Sequence, residues 1–342
     1  MKNNSIFKTT AILLLSSATV LSIMTSCEGP QGIAGVDANE TCTQCHNDGS
    51  LLIAKISQAA ASTHQTGITS FENAVSCAPC HTSQGYLEVL VSDTTATKAA
   101  IANPVPANCR TCHAIHENYD TTDFAVREIA PFTLRIKPGL AKMDLGVSNV
   151  CAKCHQPRVI SNYPTIGGGD VSITTFRFPG HYGAQSTMLA GVAGYEVGTG
   201  YPTSANPHKE AGCVTCHMST AVGSLTGGHT FNMENEEEGE NLSSCKVCHP
   251  SATSFDVNGV QTEVAALLET LKAALTADGI LTASGTVNAS TSKPLVISSD
   301  KYGALINFAL VTNDGSHGVH NAAYTMALLE NSIAVFPSAG VK

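Results

Sequence analysis

Cys151-Ala-Lys-Cys154-His155 is one of six Cys-x-x-Cys-His pentapeptides in this chain of 342 residues. The others are Cys42–Cys45–His46, Cys77–Cys80–His81, Cys109–Cys112–His113, Cys213–Cys216–His217 and Cys245–Cys248–His249. At this Cys and His content about 0.02 such pentapeptides would arise by chance, so the repetition has a chemical cause. Two cysteines three apart lie on one side of a helical turn, where both can reach one flat, rigid partner while the next residue points at its centre. That is the arrangement for attaching a c-type haem: two thioethers to the vinyl groups and the following His as proximal iron ligand. The twelve cysteines predict six haem c groups, with His46, His81, His113, His155, His217 and His249 as proximal ligands.

The remaining inventory agrees. Of 13 Cys the motifs use twelve, leaving Cys27, and of 13 His they use six. Seven histidines are left for six distal positions: His64, His116, His181, His208, His229, His317 and His320. Bis-His coordination is the expectation for closely packed haems. His116 stands three after His113, on the same helical side, and is read as a ligand to a neighbouring haem. His181 and His208 fall in the longest gap between motifs, and His64 lies between the first two. Met143, Met188, Met218 and Met233 are alternative axial ligands, but the histidines suffice and filler is the better reading for methionine.

Motif starts at 42, 77, 109, 151, 213 and 245 are unequally spaced, so the chain is not a regular solenoid. Aromatics are 5% of the residues and Trp is absent. About 35 residues per haem cannot enclose each site in a conventional core, so porphyrins are expected to form much of it. The expected fold is mainly α, with extensive irregular coil and little β. Four segments follow: a leader over 1–26, a flexible tether over 27–41, a hexahaem domain over 42–250 and a C-terminal helical cap over 251–342. In the cap, Val260, Val264, Leu267, Leu268, Leu271 and Leu275 share one helical face, closed by Asp278-Gly279. Residues 293–298 suit a strand, and Tyr302–Val311 and Val319–Phe336 two further helices.

Lys2 and Lys8 precede a short apolar run from Ala11 to Leu21, and Met24-Thr25-Ser26-Cys27 looks like a bacterial lipobox. The expectation is an exported chain lipidated at Cys27 and held at the cell envelope, on the periplasmic or surface face of the outer membrane. Export agrees with c-type haem attachment, which bacteria perform outside the cytoplasm. A formal charge of −9, before propionates are added, argues against nucleic acid as a partner. The acidic run 233–240 is expected to be a solvated loop.

The repeats resemble those of the multihaem c-type cytochromes over residues 42–336. Two local segments carry the resemblance further. Gly227-Gly-His229-Thr-Phe231, following Cys213–His217, is similar to a recurrent segment whose His is a distal ligand. Gly318-Val-His320-Asn-Ala-Ala-Tyr324 is similar to a C-terminal segment that also supplies a ligand, with Ala322 in place of the usual Pro. The resemblance implies His229 and His320 as distal ligands and His317 as the surplus. It implies electron transfer through capped haems, with redox proteins or extracellular acceptors as partners and a lipid anchor at the membrane. The alternatives are a nitrite or hydroxylamine reductase with one open haem, and a subunit of a cytochrome filament or other homo-oligomer. The Lys that marks many open haems replaces none of the six motif histidines.

Overall fold

The computed structural model describes residues 45–46, 49–66, 72–92, 94–177 and 183–336. Cys27, Cys42 and His181 lie outside the described residues, as do the leader and tether expected over 1–41. The chain divides into two compact units, Met1–Asn47 with Tyr119–Thr121, and Asp48–Asn118 with Thr122–Lys342. The fold below is that of the second unit. It is mostly helical with little strand, and no described helix is long and apolar enough to cross a membrane.

Short helices carry the motifs. Helices α1 (Ser50–Ala61) and α2 (Thr63–Thr66) lie between the first motif and the second. Then come α3 (Ala78–His81), α4 (Ser83–Ser92), α5 (Cys109–Cys112) and α6 (Asn149–Ala152). After α7 (Gln185–Ala190) follow α8 (Pro207–His217) and α9 (Cys245–Cys248). Four motif helices, α3, α5, α6 and α9, are single turns, and local side chains start or break several of the motif helices. Pro79 opens α3 within its first turn. Asn108 caps α5 by accepting from the Arg110 amide, and Thr111 closes a capping box. In α8, Asn206 caps the start, Pro207 is the first residue, and Gly212 breaks the run at φ 71°. His116 is therefore not on a helix with His113: α5 ends at Cys112, and His116 takes φ 65°. The helical side expected for the two does not exist.

The C-terminal third forms helices where apolar periodicity and caps coincide. Helix α10 (Val260–Ala277) buries Val264, Leu271 and Leu275 completely. Helix α11 (Ser299–Asp314) starts where the Ser298 hydroxyl accepts from the Lys301 amide and ends at Gly315 in the left-handed region. Helix α12 (Ala322–Ala334) starts where the Asn321 carboxamide accepts from the Tyr324 amide. So Asn321 performs the N-terminal stop without the missing Pro.

These helices share an apolar cluster with Ile136, Ile160, Ile173, Met188 and Ala193. Each fully buried leucine contributes about 1.5–3 kcal/mol. A smaller cluster joins Phe132, Leu134, Met143, Leu145, Ala152 and Leu189. Met143 and Met188 are thus core residues. Neither cluster takes any described residue before Phe132. The described residues around the second and third motifs join neither apolar cluster, whereas the C-terminal part builds a conventional one.

Packing runs across residue 250. Strand β3 (Val171–Ile173) pairs antiparallel with β6 (Leu295–Ile297), Ser172 opposite Val296. The buried Asn307 carboxamide accepts from the Tyr195 amide at 2.8 Å and donates to the Tyr195 carbonyl at 2.8 Å and to Ser332 Oγ at 2.9 Å. The other strands form two small hairpins, β1 (Phe132–Thr133) with β2 (Lys142–Met143) and β4 (Glu234–Asn235) with β5 (Gly239–Glu240). The acidic run expected as a solvated loop is this last hairpin. Its half-buried Glu238 accepts from the Ser224 and Leu225 amides, which ties the hairpin to the preceding loop.

Candidate metal centres

Four motif histidines face a histidine from elsewhere in the chain. Ring centroids are 5.9 Å apart for His155 and His64, 6.1 Å for His113 and His229, 6.3 Å for His249 and His208, and 6.3 Å for His217 and His320. Imidazole nitrogen binds a first-row metal at about 2.0 Å, and a ring nitrogen is about 1.1 Å from its centroid, so two rings trans on one metal stand about 6.2 Å apart. The four separations fit one iron between each pair.

The protonation pattern agrees. Burial, then neighbouring His64, holds His155 well below the ordinary histidine value, at about 4. Burial also lowers His64, His217 and His229. These rings are neutral at physiological pH, the form that ligates metal. Four of the eight paired rings have a hydrogen-bond partner at Nδ1. Nδ1 of His113 meets the Phe124 carbonyl at 2.8 Å, that of His217 the Phe231 carbonyl at 3.0 Å, and that of His208 the Val319 carbonyl at 2.5 Å. Nδ1 of His320 meets Oδ1 of Asp314 at 2.7 Å. Each partner fixes the tautomer and leaves Nε2 with its lone pair for a metal. Burial pulls His320 down, but the Asp314 hydrogen bond and charge outweigh it, so this ring is raised overall.

Local backbone geometry aims these rings. Gly227 takes φ 73°, and a Cβ there would lie 2.4 Å from Asn241 Nδ2. The 3-10 turn Gly228–Thr230 then presents His229, whose amide donates to Gln58 Oε1 in α1 at 3.1 Å. Phe231 follows in the left-handed region at φ 62°, a strained placement for an aromatic residue. Its carbonyl receives His217, and its ring packs edge-on to His64 at 4.8 Å. The segment Gly227–Phe231 thus serves three pairs at once. Near the C-terminus, Asn206 donates to the Leu189 carbonyl at 2.9 Å and the His320 carbonyl at 2.7 Å, tying the start of α8, which carries His208, to the loop that carries His320.

The motifs touch one another. The Cys154 thiol lies against that of Cys80, and Cys151 against Cys213. The Tyr86 hydroxyl, just after the second motif, donates to the Val150 carbonyl at 3.0 Å. The Cys213 amide donates to Ser148 Oγ at 2.9 Å. From the third motif, Thr111 Oγ1 donates to Ser83 Oγ in α4 at 2.9 Å. Burial raises Cys112 to about 11. Among the described residues, no three His, Cys, Asp or Glu side chains converge in the manner of a closed zinc site. A thiol pair on one turn beside a facing histidine pair is the donor set of a c-type haem, and these residues fit that group.

Of the distal candidates read from sequence, the structure brings His64, His208, His229 and His320 each to a motif histidine. Cys45 and His46 open the described chain, His81 closes α3, and His116 and His317 both sit at positive φ in turns. Asp314 and the carbonyls of Phe124, Phe231 and Val319 escape sequence reasoning. A backbone acceptor leaves no mark on side-chain identity. Asp314 stands six before His320, a spacing that only the Gly315–Gly318 turn makes meaningful.

No protein-family model matches the chain, and no curated protein matches it. Among solved structures it is similar to the crystal structure of the outer cell wall cytochrome OcwA, with a TM-score of 0.50 and 21% sequence identity over 81% of this chain and 49% of that one. The chain spans about half the length of that cytochrome. The likeness is one of fold: a cytochrome-like arrangement of short helices and coil.

Proposed function

We propose that this chain is an electron-transfer protein that holds six haem c groups, most of them with two histidine ligands. The single observation that carries the reading is the set of four facing histidine pairs at 5.9–6.3 Å. Haem, when bound, supplies a one-electron Fe(III)/Fe(II) couple. The protein's residues do the rest. The cysteines fix each ring covalently, the paired imidazoles deny the metal an open position, and their carbonyl and carboxylate partners keep the ligating tautomer. His116 and His181 remain as donors for the two irons of the first two motifs, with His317 the surplus.

Contact between thiols supports an order of the motifs in space that differs from their order in sequence. Cys154 against Cys80 and Cys151 against Cys213 make the fourth motif a neighbour of both the second and the fifth. The Tyr86–Val150 hydrogen bond also joins the second motif to the fourth, and the Thr111–Ser83 hydrogen bond binds the third motif to the second. The leader and Met24–Cys27 support an exported protein, lipid-anchored through Cys27 at the cell envelope. There it would exchange electrons with redox proteins or extracellular acceptors.

The test is haem quantification with electron paramagnetic resonance of the oxidised, purified protein. Six haems per chain, all low spin, are expected. A high-spin haem that binds nitrite or hydroxylamine would replace this reading with that of a reductase.

A further inference from the structure

We infer that Asp314 sets the electronic character of the iron held by His217 and His320, making it a low-potential site among the paired centres. The inference rests on the proposed bis-His haem ligation. Four paired histidines have a defined Nδ1 acceptor, and three of these acceptors are neutral carbonyls: Phe124, Phe231 and Val319. His320 differs in meeting a carboxylate, at 2.7 Å. That carboxylate is 2% exposed, so water screens it little. Its other oxygen accepts from Ser316 Oγ, which leaves the first aimed at the imidazole.

The placement is costly in every other respect. Asp314 is the last residue of α11, where the helix dipole disfavours negative charge. Burial of an ionised group adds to the cost. A tight turn with Gly315 at φ 71°, His317 at φ 48° and Gly318 at φ 92° returns the chain so that His320 reaches it. The His320 amide donates to Ser316 Oγ at 3.2 Å, which locks the turn to the same hydroxyl. Ser316 therefore orients both the carboxylate and the histidine.

The chemistry follows from charge. A buried carboxylate draws the Nδ1 proton toward itself and leaves the ring with partial imidazolate character. Such a ring is a stronger donor at Nε2 and stabilises ferric over ferrous iron, which lowers the potential. A carbonyl acceptor does the same only weakly. Asp314 touches the ligand and not the metal, so it is a positioning residue.

The experiment is a redox titration of the haem-loaded full chain at one fixed pH, followed optically, for the native protein and Asp314→Asn. Haem count and spin state are measured on the native protein first; fewer than six haems or a high-spin centre there would count against the ligation reading itself. With that in place, Asp314→Asn is expected to move one of six one-electron steps to higher potential and leave five unmoved, all haems staying low spin. Asp314→Glu, which keeps the charge, is expected to return the step toward its native position. Six unmoved steps in Asp314→Asn would overturn the inference. Should that variant lose low-spin ligation, the near-infrared ligand-to-metal band of the native ferric protein decides. One haem in six with a band shifted to higher energy supports imidazolate character, and six ordinary bis-imidazole bands refute it.

Discussion

Replacing His229 by alanine tests the pairing most directly. The side chain is half-buried, contacts Phe231 with centroids 6.1 Å apart, and faces His113. Its backbone amide, not its ring, makes the bond to Gln58. Truncation should therefore cost about 1–3 kcal/mol, within what a folded domain tolerates. Six motifs mean that one ligand lost is one sixth of the haem converted from low to high spin. Which low-spin signal disappears is also determined. The His113 and His229 planes meet at 26°, so their π systems act on nearly the same iron d orbital and split the pair, giving a rhombic spectrum. The His64 and His155 planes meet at 89°, which leaves the two d orbitals nearly degenerate and gives a signal with one very large g value. The assay is low-temperature paramagnetic resonance with spin counting. His229→Ala should remove a rhombic species, and His64→Ala a large-g species, each with one sixth of the intensity. Loss of a large-g species from His229→Ala, or no high-spin signal, would refute the pairing.

Three further outcomes follow. Asn307→Leu strands the Tyr195 amide, the Tyr195 carbonyl and Ser332 Oγ in the core, at about 1–3 kcal/mol each, and a loss of about 3–9 kcal/mol should show as a lowered thermal midpoint. Gly318→Val places a Cβ 2.8 Å from Val264 Cγ2 at φ 92°, so His320 should be displaced and one haem should turn high spin while the others keep their spectra. Asp256 is held below the ordinary carboxylate value by the Thr262 hydroxyl and the Thr262 and Gln261 amides at the start of α10. Its folded pKa is depressed, so its contribution is complete above the ordinary Asp range and fades as pH falls through the lower folded value. The melting difference between native protein and Asp256→Asn should shrink in that acid window, and a constant difference would count against the role.

The C-terminal helices were the most legible part of the fold. Val264, Leu271 and Leu275 sit where the period places them, and β6 lies inside 293–298. Ser298 and Asn321 begin α11 and α12 a few residues from the expected starts, because caps and not periodicity choose the first residue. The motif turns were legible because thioether chemistry demands them. The partners of the motif histidines were not, since each bond joins segments far apart in the chain and no local pattern records which ends meet. The core contribution of Ile136, Ile160 and Ile173 was hidden for a similar reason. Ile136 and Ile160 stand singly in coil and Ile173 ends a three-residue strand, and only the packing of α10–α12 makes them interior.

The four histidine pairs join residues 64 to 155, 113 to 229, 208 to 249 and 217 to 320, and each interval overlaps the next. With metal bound, they are interlaced clasps along the chain. A segment between two clasps cannot unravel without pulling on a third, and each closed loop removes entropy from the unfolded chain as a disulfide does. Proteolytic nicks in exposed coil would leave the fragments tethered to one another. The same metal centres that carry electrons would then also act as rivets, and stripping the axial ligands would loosen the whole length at once.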